Sequence, residues 1–291
     1  MKQEINLDPI KIILDKLQLE NQNVYLGLNF LLLVKKLKPK NLNLIETAEF
    51  ILDCFQKRLG KFGNLIIPVF NFDCIKSKKF HIKNSPGQSG ALGNILLKKY
   101  FLLRTPHPVY SFLYFGNNPN KYQMINSSSG TNKNSLWKYF IEDKFDLITM
   151  GHHYSRSFTH VHYIEDLLKV DYRFNLKFPL AYTNMKNISV KKNYTFFARK
   201  KRVCDFSGMT KKCDSLFFKE KVARFYKFND LISFKLNISQ ASNLLYESLE
   251  KNSEDLISYI RTNKQNKNVL CSYDGSILDL EKYYLKKNNV K

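Results

Sequence analysis

The sequence is short of cysteine, of acidic side chains and of long apolar runs. Its five cysteines form no Cys-x-x-Cys pair and are too sparse in 291 residues for a disulfide framework, which favours a reducing compartment. The longest apolar stretches, such as 30–34 and 64–70, fall short of the roughly 20 residues that a membrane span needs. The first 18 residues lack the pattern of an export signal. We therefore expect a soluble, cytoplasmic protein without a membrane span.

The deficit of acids leaves 47 lysines and arginines against 25 acidic residues, a net charge of +22. Such a charge raises binding to nucleic acid or to anionic lipid. The lysines are spread along the chain among asparagine, isoleucine, tyrosine and phenylalanine, so biased codon usage explains them more simply. The densest run, "FFARKKRV" at 196–203, is either a local anion site or a solvated face. No nucleic-acid-binding motif accompanies it, and nucleic acid is not the expected partner.

What the sequence does contain is an alternation of helices and buried strands. Residues 43–59 place apolar side chains at helical spacing, and Gly60 follows as a stop. The segment "NLIIPVFNF" at 64–72 is apolar on both faces, as a strand covered by helices is, with Pro68 near its end. "FDLITMG" at 145–151 predicts a second buried strand that ends in glycine. The alternation predicts a layered α/β fold.

A proline-rich turn separates two ordered segments between these strands. Residues 90–97 predict the start of a helix, "RTPHP" at 104–108 cannot continue it, and "VYSFLYFG" at 109–116 resumes an apolar segment. His107 lies between two prolines and so has a rigid backbone. It either caps a turn or serves as a fixed hydrogen-bond donor in a site, and on its own the turn is favoured.

The stretch "RSFTHVHYIED" at 156–166 is the richest in acid–base chemistry. Thr159 is a good N-cap for a helix on which His162, Glu165 and Asp166 are neighbours at i+3 and i+4. A neutral imidazole accepts a proton at neutral pH, and a nearby carboxylate orients it and stabilises its charged form. The alternative is an exposed helical ion pair.

Four histidines cluster around this stretch, and two of them differ by only two positions. On a helix of about 3.6 residues per turn, His160 and His162 point about 200° apart, so only one can face a site. We expect that one to be His162 and leave His160 on the surface or behind the site. With His152 and His153 nearby, a metal-dependent hydrolase stays open, although the His-Glu-x-x-His spacing of helical zinc sites is missing.

Taken in order, four motifs resemble those of the aminoglycoside 3-N-acetyltransferase family, most clearly over residues 60–175. The family's motifs are Gly-Thr-x-x-x-Pro-x-Phe, Gly-Ala-Leu at a helix start, Arg-Ser-x-His-Pro-x-x-Ser followed by glycine, and Thr-x-x-His-x-x-Glu. The matching positions are Gly63 to Phe70, Gly90 to Leu92, Arg104 to Ser111 with Gly116, and Thr159, His162 and Glu165.

Three departures accompany the resemblance. The family has a His-Ser-Ser type turn near its N-terminus that meets the coenzyme A diphosphate, whereas "VYLGLNFLLL" at 24–33 has Gly27 and Leu28 where the histidine and first serine fall. Asn94 stands where the family often has glutamate, which predicts a different acceptor pocket. The spacing over 151–159 is one residue longer than usual.

The resemblance implies a single acyltransferase-like domain over 1–291, with a three-layer α/β/α fold, a mixed sheet and a more variable α+β C-terminal region from about 190. It implies direct transfer of an acetyl group from acetyl-CoA to an amine, without a covalent enzyme intermediate. In that scheme His162 is the general base, Glu165 supports it, and no metal takes part.

The resemblance also assigns the remaining site residues. His107 is the third catalytic residue and, with Ser111, lines the junction of thioester and acceptor. Arg104 and Ser111 lie on the cofactor side, Thr159 and Asn94 lie on the acceptor side, and Arg104 and Thr159 support the site from behind.

The expected acceptor is a small-molecule amine on an amino sugar or an aminoglycoside-like compound, with surface polysaccharide biosynthesis as the setting. Besides the metal-dependent hydrolase, a non-catalytic basic binding protein with a degenerate acyltransferase site stays open. The oligomeric state is left open.

Overall fold

A computed structural model describes residues 8–37, 42–125, 127–200, 206–251 and 255–260. Its helices are α1 (Asp8–Leu17), α2 (Phe30–Leu37), α3 (Leu44–Leu59), α4 (Asp73–Ser77), α5 (Ala91–Tyr100), α6 (Pro119–Gln123), α7 (Leu136–Glu142), α8 (Val161–Leu167), α9 (Lys211–Lys219) and α10 (Ile238–Glu250). Its strands are β1 (Asn23–Leu28), β2 (Asn64–Pro68), β3 (Lys79–His81), β4 (Phe112–Phe115), β5 (Phe145–Met150), β6 (Arg173–Thr183), β7 (Ser189–Arg199), β8 (Phe206–Met209), β9 (Ala223–Phe228), β10 (Leu231–Asn237) and β11 (Ile257–Ile260). Short 3-10 turns cover Phe101–Leu103 and Tyr154–Arg156.

A mixed sheet of six strands forms the centre, in the order β4-β2-β1-β5-β10-β9. Strands β2, β1 and β5 run parallel, whereas β4, β10 and β9 each pair antiparallel with their neighbours. The two buried strands predicted from the sequence are β2 and β5. Pro68 is the last residue of β2, where its missing N–H interrupts the ladder least.

Helices cover both faces of this sheet, which confirms the three-layer α/β/α prediction. Successive side chains of a strand point to opposite faces, and in β1 Val24 and Leu26 join one hydrophobic cluster while Tyr25 joins the other. Residues of α1, α2, α3 and α5 complete the first cluster. Residues of α7, α8, α9 and α10 complete the second.

The helix predicted over 43–59 is α3, and its ends follow the sequence. Asn43 accepts hydrogen bonds from the backbone of Ile45 and Glu46, and the Glu46 side chain accepts one from the Asn43 N–H, which forms a capping box. Gly60 ends the helix with a φ of 66°, a conformation that glycine adopts without strain. Local signals therefore set both ends of this element.

A second, three-stranded sheet has the order β3-β6-β7, with β6 and β7 paired along all eleven residues of each. The described strands after about residue 190 are divided among three sheets, and β8 and β11 pair with each other in a separate two-stranded sheet. Strand β7 belongs to this second sheet, and the β9–β10 hairpin widens the main sheet.

Two expectations on composition also have structural counterparts. Within the described segments, no helix is long and apolar enough to cross a membrane. Cys54, Cys74 and Cys213 are buried free thiols. Cys204 and Cys271 lie outside the described residues.

Candidate active site

The site lies at the carboxyl ends of β1 and β5, two parallel neighbours from which the chain departs in different directions. After β1 the chain returns through α2 and α3 to β2, on one side of β1, whereas β5 lies on the other side. In open α/β sheets, ligands bind in the crevice outside the strand ends at such a switch point. The loop over 151–160 follows β5 and carries the residues expected to do the chemistry.

The entry into α8 differs from the expectation for Thr159. The residue at the N-cap is His160, which makes no side-chain capping bond, so the predicted N-cap role of Thr159 is wrong. The Thr159 hydroxyl instead bonds with the Tyr25 hydroxyl, which also donates to the Ser157 carbonyl at 2.9 Å. Thr159 therefore points at β1 and joins the helix start to the sheet.

His162 and Glu165 form the predicted pair on α8. The Nδ1 of His162 lies 2.7 Å from Oε2 of Glu165, and the His162 side chain is 23% exposed while that of Glu165 is 1% exposed. The alternative of an exposed helical ion pair is therefore wrong. Tyr172 donates to Oε1 of Glu165 at 2.8 Å, and Nε of Arg173 lies 2.8 Å from Oε2. Glu165 thus has three partners on a helix and a neighbouring strand.

This arrangement fixes the tautomer of His162. Because a carboxylate only accepts hydrogen bonds, the Nδ1 of a neutral His162 carries the proton and donates it to Glu165. Nε2 has no hydrogen-bonding partner among the described residues and holds the free lone pair. Burial, and then the charges of Arg173 and Arg199, lower the pKa of His162 against the opposing effect of Glu165. The ring is therefore neutral and able to accept a proton at neutral pH.

Glu165 remains ionised despite its burial. Burial by itself raises the pKa of a carboxyl group, but the charge and hydrogen bond of His162, the charge of Arg173 and the hydrogen bond of Tyr172 outweigh it. The pKa of Glu165 is therefore lowered. The second acid, Asp166, does not bond to His162; it accepts hydrogen bonds from Thr131 at 2.9 Å and from Lys169 at 2.8 Å.

The other three histidines of the cluster have separate partners. His160 is fully buried with Nε2 2.9 Å from the Ser242 hydroxyl, so it lies behind the site and not on the surface. His153 lies 3.2 Å from Asp214, and His152 lies 2.7 Å from the Ser157 hydroxyl. In the parts of the chain that the structure describes, no group of three or more His, Cys, Asp or Glu side chains is placed to hold a metal ion.

His107 lies on the far side of Tyr110 from this pair. Its Nδ1 accepts a hydrogen bond from the Tyr110 backbone at 3.0 Å, and burial lowers its pKa to about 3. The Tyr110 ring stacks on the His107 ring and is close enough to Arg173 and Glu165 for their charges to act on its hydroxyl. Tyr110 thus lies near both His107 and the His162–Glu165 pair, and the catalytic assignment of His107 stays a prediction.

His107 lines a small cavity of about 10 Å³, close to the room that one water molecule needs. Because Nδ1 accepts, Nε2 of the neutral ring carries the proton. Its neighbours around the cavity include Ser135 and Trp137, and the polar side-chain atoms of all three residues are buried without a protein partner. The lining of this small cavity thus includes three residues that each have a buried polar atom without a protein partner.

Arg104 and Ser111 are buried and support the site from behind. Nε of Arg104 donates to the Ser111 hydroxyl at 3.0 Å, and both side chains donate to the Val69 carbonyl. Arg104 also donates to the carbonyls of Ile82 and Ser85. Neither side chain is more than 1% exposed, and their predicted place on the cofactor side of the site stays a prediction. Because a buried polar group without a hydrogen-bonding partner is costly, these groups bond to one another and to backbone carbonyls.

Asn94 also has a structural partner. Its side-chain oxygen accepts a hydrogen bond from the Gly87 backbone at 3.0 Å, which ties α5 to the preceding loop. The asparagine oxygen that accepts this bond is uncharged, unlike the carboxylate of the glutamate that the family often has here. The side chain remains partly exposed, and its predicted place on the acceptor side stays a prediction.

The end of β1 and the turn after it carry the residues that depart from the family's coenzyme A turn. Asn29 caps α2 by accepting from Leu32 N–H at 3.3 Å, and the N–H groups of the first turn lie at the strand ends. A Cβ on Gly27 would lie 2.3 Å from the Ser157 hydroxyl, so Ser157 fills the space of the family's histidine. Ser157 therefore lies directly against β1 at Gly27.

Several residues of the site carry no signal in the sequence. Tyr172 and Arg173 follow α8 as one aromatic and one basic residue in a chain rich in both, and nothing local indicates their burial. Tyr25 and Tyr110 lie in segments that the hydrophobic pattern marks as core. Only the packing of β6 against α8 reveals the first two as partners of Glu165.

Comparison with known proteins agrees with this geometry. Residues 40–249 match the family model described as aminoglycoside 3-N-acetyltransferase, a longer span than the motifs alone cover. A comparison with curated proteins finds no match.

Solved structures share the fold at low sequence identity. Sisomicin-bound AAC-VIa is 12% identical, with a TM-score of 0.68 over 84% of this chain and 98% of its own. AAC-IIIb in a binary complex with CoASH is 12% identical, with a TM-score of 0.65 over 84% of this chain and 96% of its own. YokD from Bacillus subtilis is 14% identical, with a TM-score of 0.62 over 84% and 93%.

The chain combines a three-layer α/β/α fold with a partly exposed histidine that bonds to a buried carboxylate. This combination is the kind of site that an acyltransferase uses. The family match covers well over half of the sequence, and the chain belongs to the aminoglycoside 3-N-acetyltransferase family. This family transfers acetyl groups to amines and uses acetyl-CoA as its co-substrate.

Proposed function

We propose that this protein transfers an acetyl group from acetyl-CoA to the amine of an amino sugar, with His162 as general base. The observation that carries the proposal is the bond between His162 Nδ1 and the buried Glu165, which is itself held by Tyr172 and Arg173. This arrangement leaves Nε2 as a proton acceptor at the carboxyl end of the sheet.

Acetyl-CoA supplies the activated acetyl group, and the residues of the chain provide orientation and proton transfer. Nε2 of His162 takes the proton from the attacking amine, and Glu165 accepts the Nδ1–H bond throughout. The carboxylate stabilises the imidazolium that forms. His162 then gives the same proton to the departing coenzyme A thiolate. General-base assistance of this kind contributes roughly 10²- to 10⁴-fold to the rate.

The other predicted site residues support this centre in the proposal. Arg104 and Ser111 hold the backbone of Val69 beneath the crevice. Thr159 fixes the start of α8 on Tyr25, and His107 holds the turn that places Tyr110. Asn94 borders the acceptor side of the crevice.

An amino sugar fits the family better than an unrelated amine does, because sisomicin, which AAC-VIa binds, is built from amino sugars. The change to asparagine at position 94 favours an acceptor other than an antibiotic, and surface polysaccharide biosynthesis is the setting we propose. The buried free thiols Cys54, Cys74 and Cys213 support a reducing, cytoplasmic location.

The test is release of free thiol from acetyl-CoA with a panel of amino sugars, for the wild type and for His162→Ala. We expect turnover with at least one amino sugar and its loss in the variant. No turnover with any amine, together with no binding of acetyl-CoA, would refute the proposal. Activity that disappears with a chelator and returns with zinc would instead favour the metal-dependent hydrolase.

A further inference from the structure

Tyr110 lies at the same edge of the main sheet as the proposed base. It is the second residue before β4, and the Asn71 N–H, just beyond the end of β2, donates to the neighbouring Val109 carbonyl at 3.0 Å. Because β4 runs antiparallel to β2, the start of β4 meets the carboxyl end of β2. Strands β2, β1 and β5 are parallel, so Tyr110 lies at the edge outside which open α/β sheets bind their ligands.

The Tyr110 ring and the start of α8 pack on the same indole. The centroid of the Tyr110 ring lies 6.0 Å from that of Trp137, and the ring of His160, directly before α8, lies 5.7 Å from the same indole. The ring of Tyr110 is also stacked on His107 at 6.1 Å and edge-on to Phe70 at 5.2 Å. Aromatic neighbours on several sides therefore hold this ring in one place.

A second contact ties Tyr110 to α8 through the loop before α7. A Cβ on Gly130 would lie 2.2 Å from Cδ2 of Tyr110, so this glycine lies directly against the ring. The next residue, Thr131, donates to Asp166 at 2.9 Å, and Asp166 is the neighbour of Glu165 on α8. The loop thus bridges the Tyr110 ring and the helix that carries the proposed base.

The hydroxyl of Tyr110 is an available donor. Within the described segments it makes no hydrogen bond, and it is not among the fully enclosed atoms without a partner, which include the Tyr194 hydroxyl. It therefore retains access to solvent at the tip of a side chain that is 4% exposed. Burial raises the pKa of Tyr110, Arg173 lowers it and Glu165 raises it, and the net pKa lies above the usual value for tyrosine. The hydroxyl therefore keeps its proton at neutral pH.

Building on the proposed function, we infer that the Tyr110 hydroxyl donates a hydrogen bond to the thioester oxygen of acetyl-CoA as negative charge forms on it. When the amine nitrogen bonds to the carbonyl carbon, the π electron pair moves onto that oxygen, and His162 takes the proton from the nitrogen. The electron pair then returns to carbon, the C–S bond breaks, and the coenzyme A thiolate leaves and takes the proton from His162. A donor on a fixed ring stabilises the charge where it develops, without reorganisation during the reaction.

The test is Tyr110→Phe, which removes the hydroxyl and keeps the ring that packs on Trp137 and His107. We expect kcat for acetyl transfer to fall roughly 10²- to 10³-fold, the loss that follows removal of one donor to an oxyanion. The KM for the amine acceptor, and the binding of acetyl-CoA measured by calorimetry, should not change. Tyr194→Phe is the matched control. It deletes a hydroxyl from another ring that contacts His107, at 5.7 Å, and should keep the full kcat.

The pH profile distinguishes a contact with the substrate from an effect on the base. If Tyr110 acts on the substrate oxygen, the acidic limb of kcat in Tyr110→Phe stays at the pH where His162 sets it in the wild type. A shifted limb would show that Tyr110 acts through His162 and Glu165, and would overturn the inference.

Three further outcomes are decisive. A kcat in Tyr110→Phe equal to that of the wild type would overturn the inference and leave the proposed function intact. A fall in kcat accompanied by an equal fall in acetyl-CoA binding and a lower melting temperature would show a structural role and overturn it as well. A wild-type protein that acetylates no amine would remove the proposed function together with the inference.

Discussion

The imidazole of His162 is one of six in the sequence, and its environment alone combines a buried carboxylate on one ring nitrogen with partial exposure. We expect His162→Ala to lower kcat by roughly 10²- to 10⁴-fold, because proton removal from the amine is lost. The melting temperature should change little, since the side chain lies at the edge of the core. Acetyl transfer and thermal unfolding measure the two quantities. An equal loss in His160→Ala without any loss of stability would contradict the assignment.

Glu165→Gln is expected to behave differently from His162→Ala. The amide cannot balance Arg173, which stays buried with an uncompensated charge, and breaking one partner of a buried pair typically costs about 3–5 kcal/mol. We therefore expect a loss of both activity and stability. Chemical denaturation of Glu165→Gln and His162→Ala side by side distinguishes them. If Glu165→Gln were as stable as the wild type, the ion pair would not be essential to the fold.

The pH dependence of transfer follows from the lowered pKa of His162. The base must be neutral, so activity falls as the pH drops through this pKa, which lies below the ordinary value for histidine. Arg199→Gln removes a cation that lowers this pKa, so it should move the acidic limb of kcat/KM to higher pH. The profile is measured with one neutral acceptor for wild type and variant. An unchanged acidic limb would place Arg199 too far from the ring to act on it.

At the residue scale, the sequence predicts the acid–base pair but not what holds it. His162 and Glu165 share a helix, so spacing alone brings them together. Tyr172 lies in the turn after α8 and Arg173 begins β6, and their contact with Glu165 depends on how this turn brings the chain back to the helix, which periodicity does not encode. The N-cap role of Thr159 was a local expectation that a contact with Tyr25 overrides.

At the scale of elements, the loop after β5 and the strand β1 fit each other closely at Gly27. A Cβ there would lie 2.3 Å from Oγ and 2.5 Å from Cβ of Ser157. We expect Gly27→Ala to destabilise the fold by roughly 1–3 kcal/mol, as overpacking does. Ser157→Gly removes the obstructing atoms, so the double variant should regain most of that loss. A double-mutant cycle by denaturation measures the coupling, and additive effects would contradict the close fit.

The same elements show where local patterns suffice. Helix α3, strand β2 and strand β5 follow from spacing, capping and glycine, because their signals lie within each segment. The pairing of β6 with β7 and the widening of the main sheet by β9 and β10 depend on contacts between distant parts of the chain. The order of the strands in the sheets therefore could not be predicted from the sequence patterns.

At the scale of the whole molecule, binding of the co-substrate should stabilise the domain. A ligand that binds only the folded state adds about 2.7 kcal/mol at 100 times its dissociation constant. We expect acetyl-CoA to raise the melting temperature of the wild type and of His162→Ala alike, since the base does not hold the cofactor. Differential scanning fluorimetry at millimolar acetyl-CoA measures this. An unchanged melting temperature would contradict the proposal that this protein is a working acetyltransferase.

The cavity beside His107 has an optical consequence. The sequence has a single tryptophan, Trp137, and its fully buried indole lines that cavity and lies edge-on to the rings of Tyr25, Tyr110 and His160. All of the intrinsic indole fluorescence of this protein therefore arises from one position, next to the rings of Tyr110 and His160. A titration followed by tryptophan emission would therefore report on the surroundings of Trp137, without a label and without a contribution from a second indole.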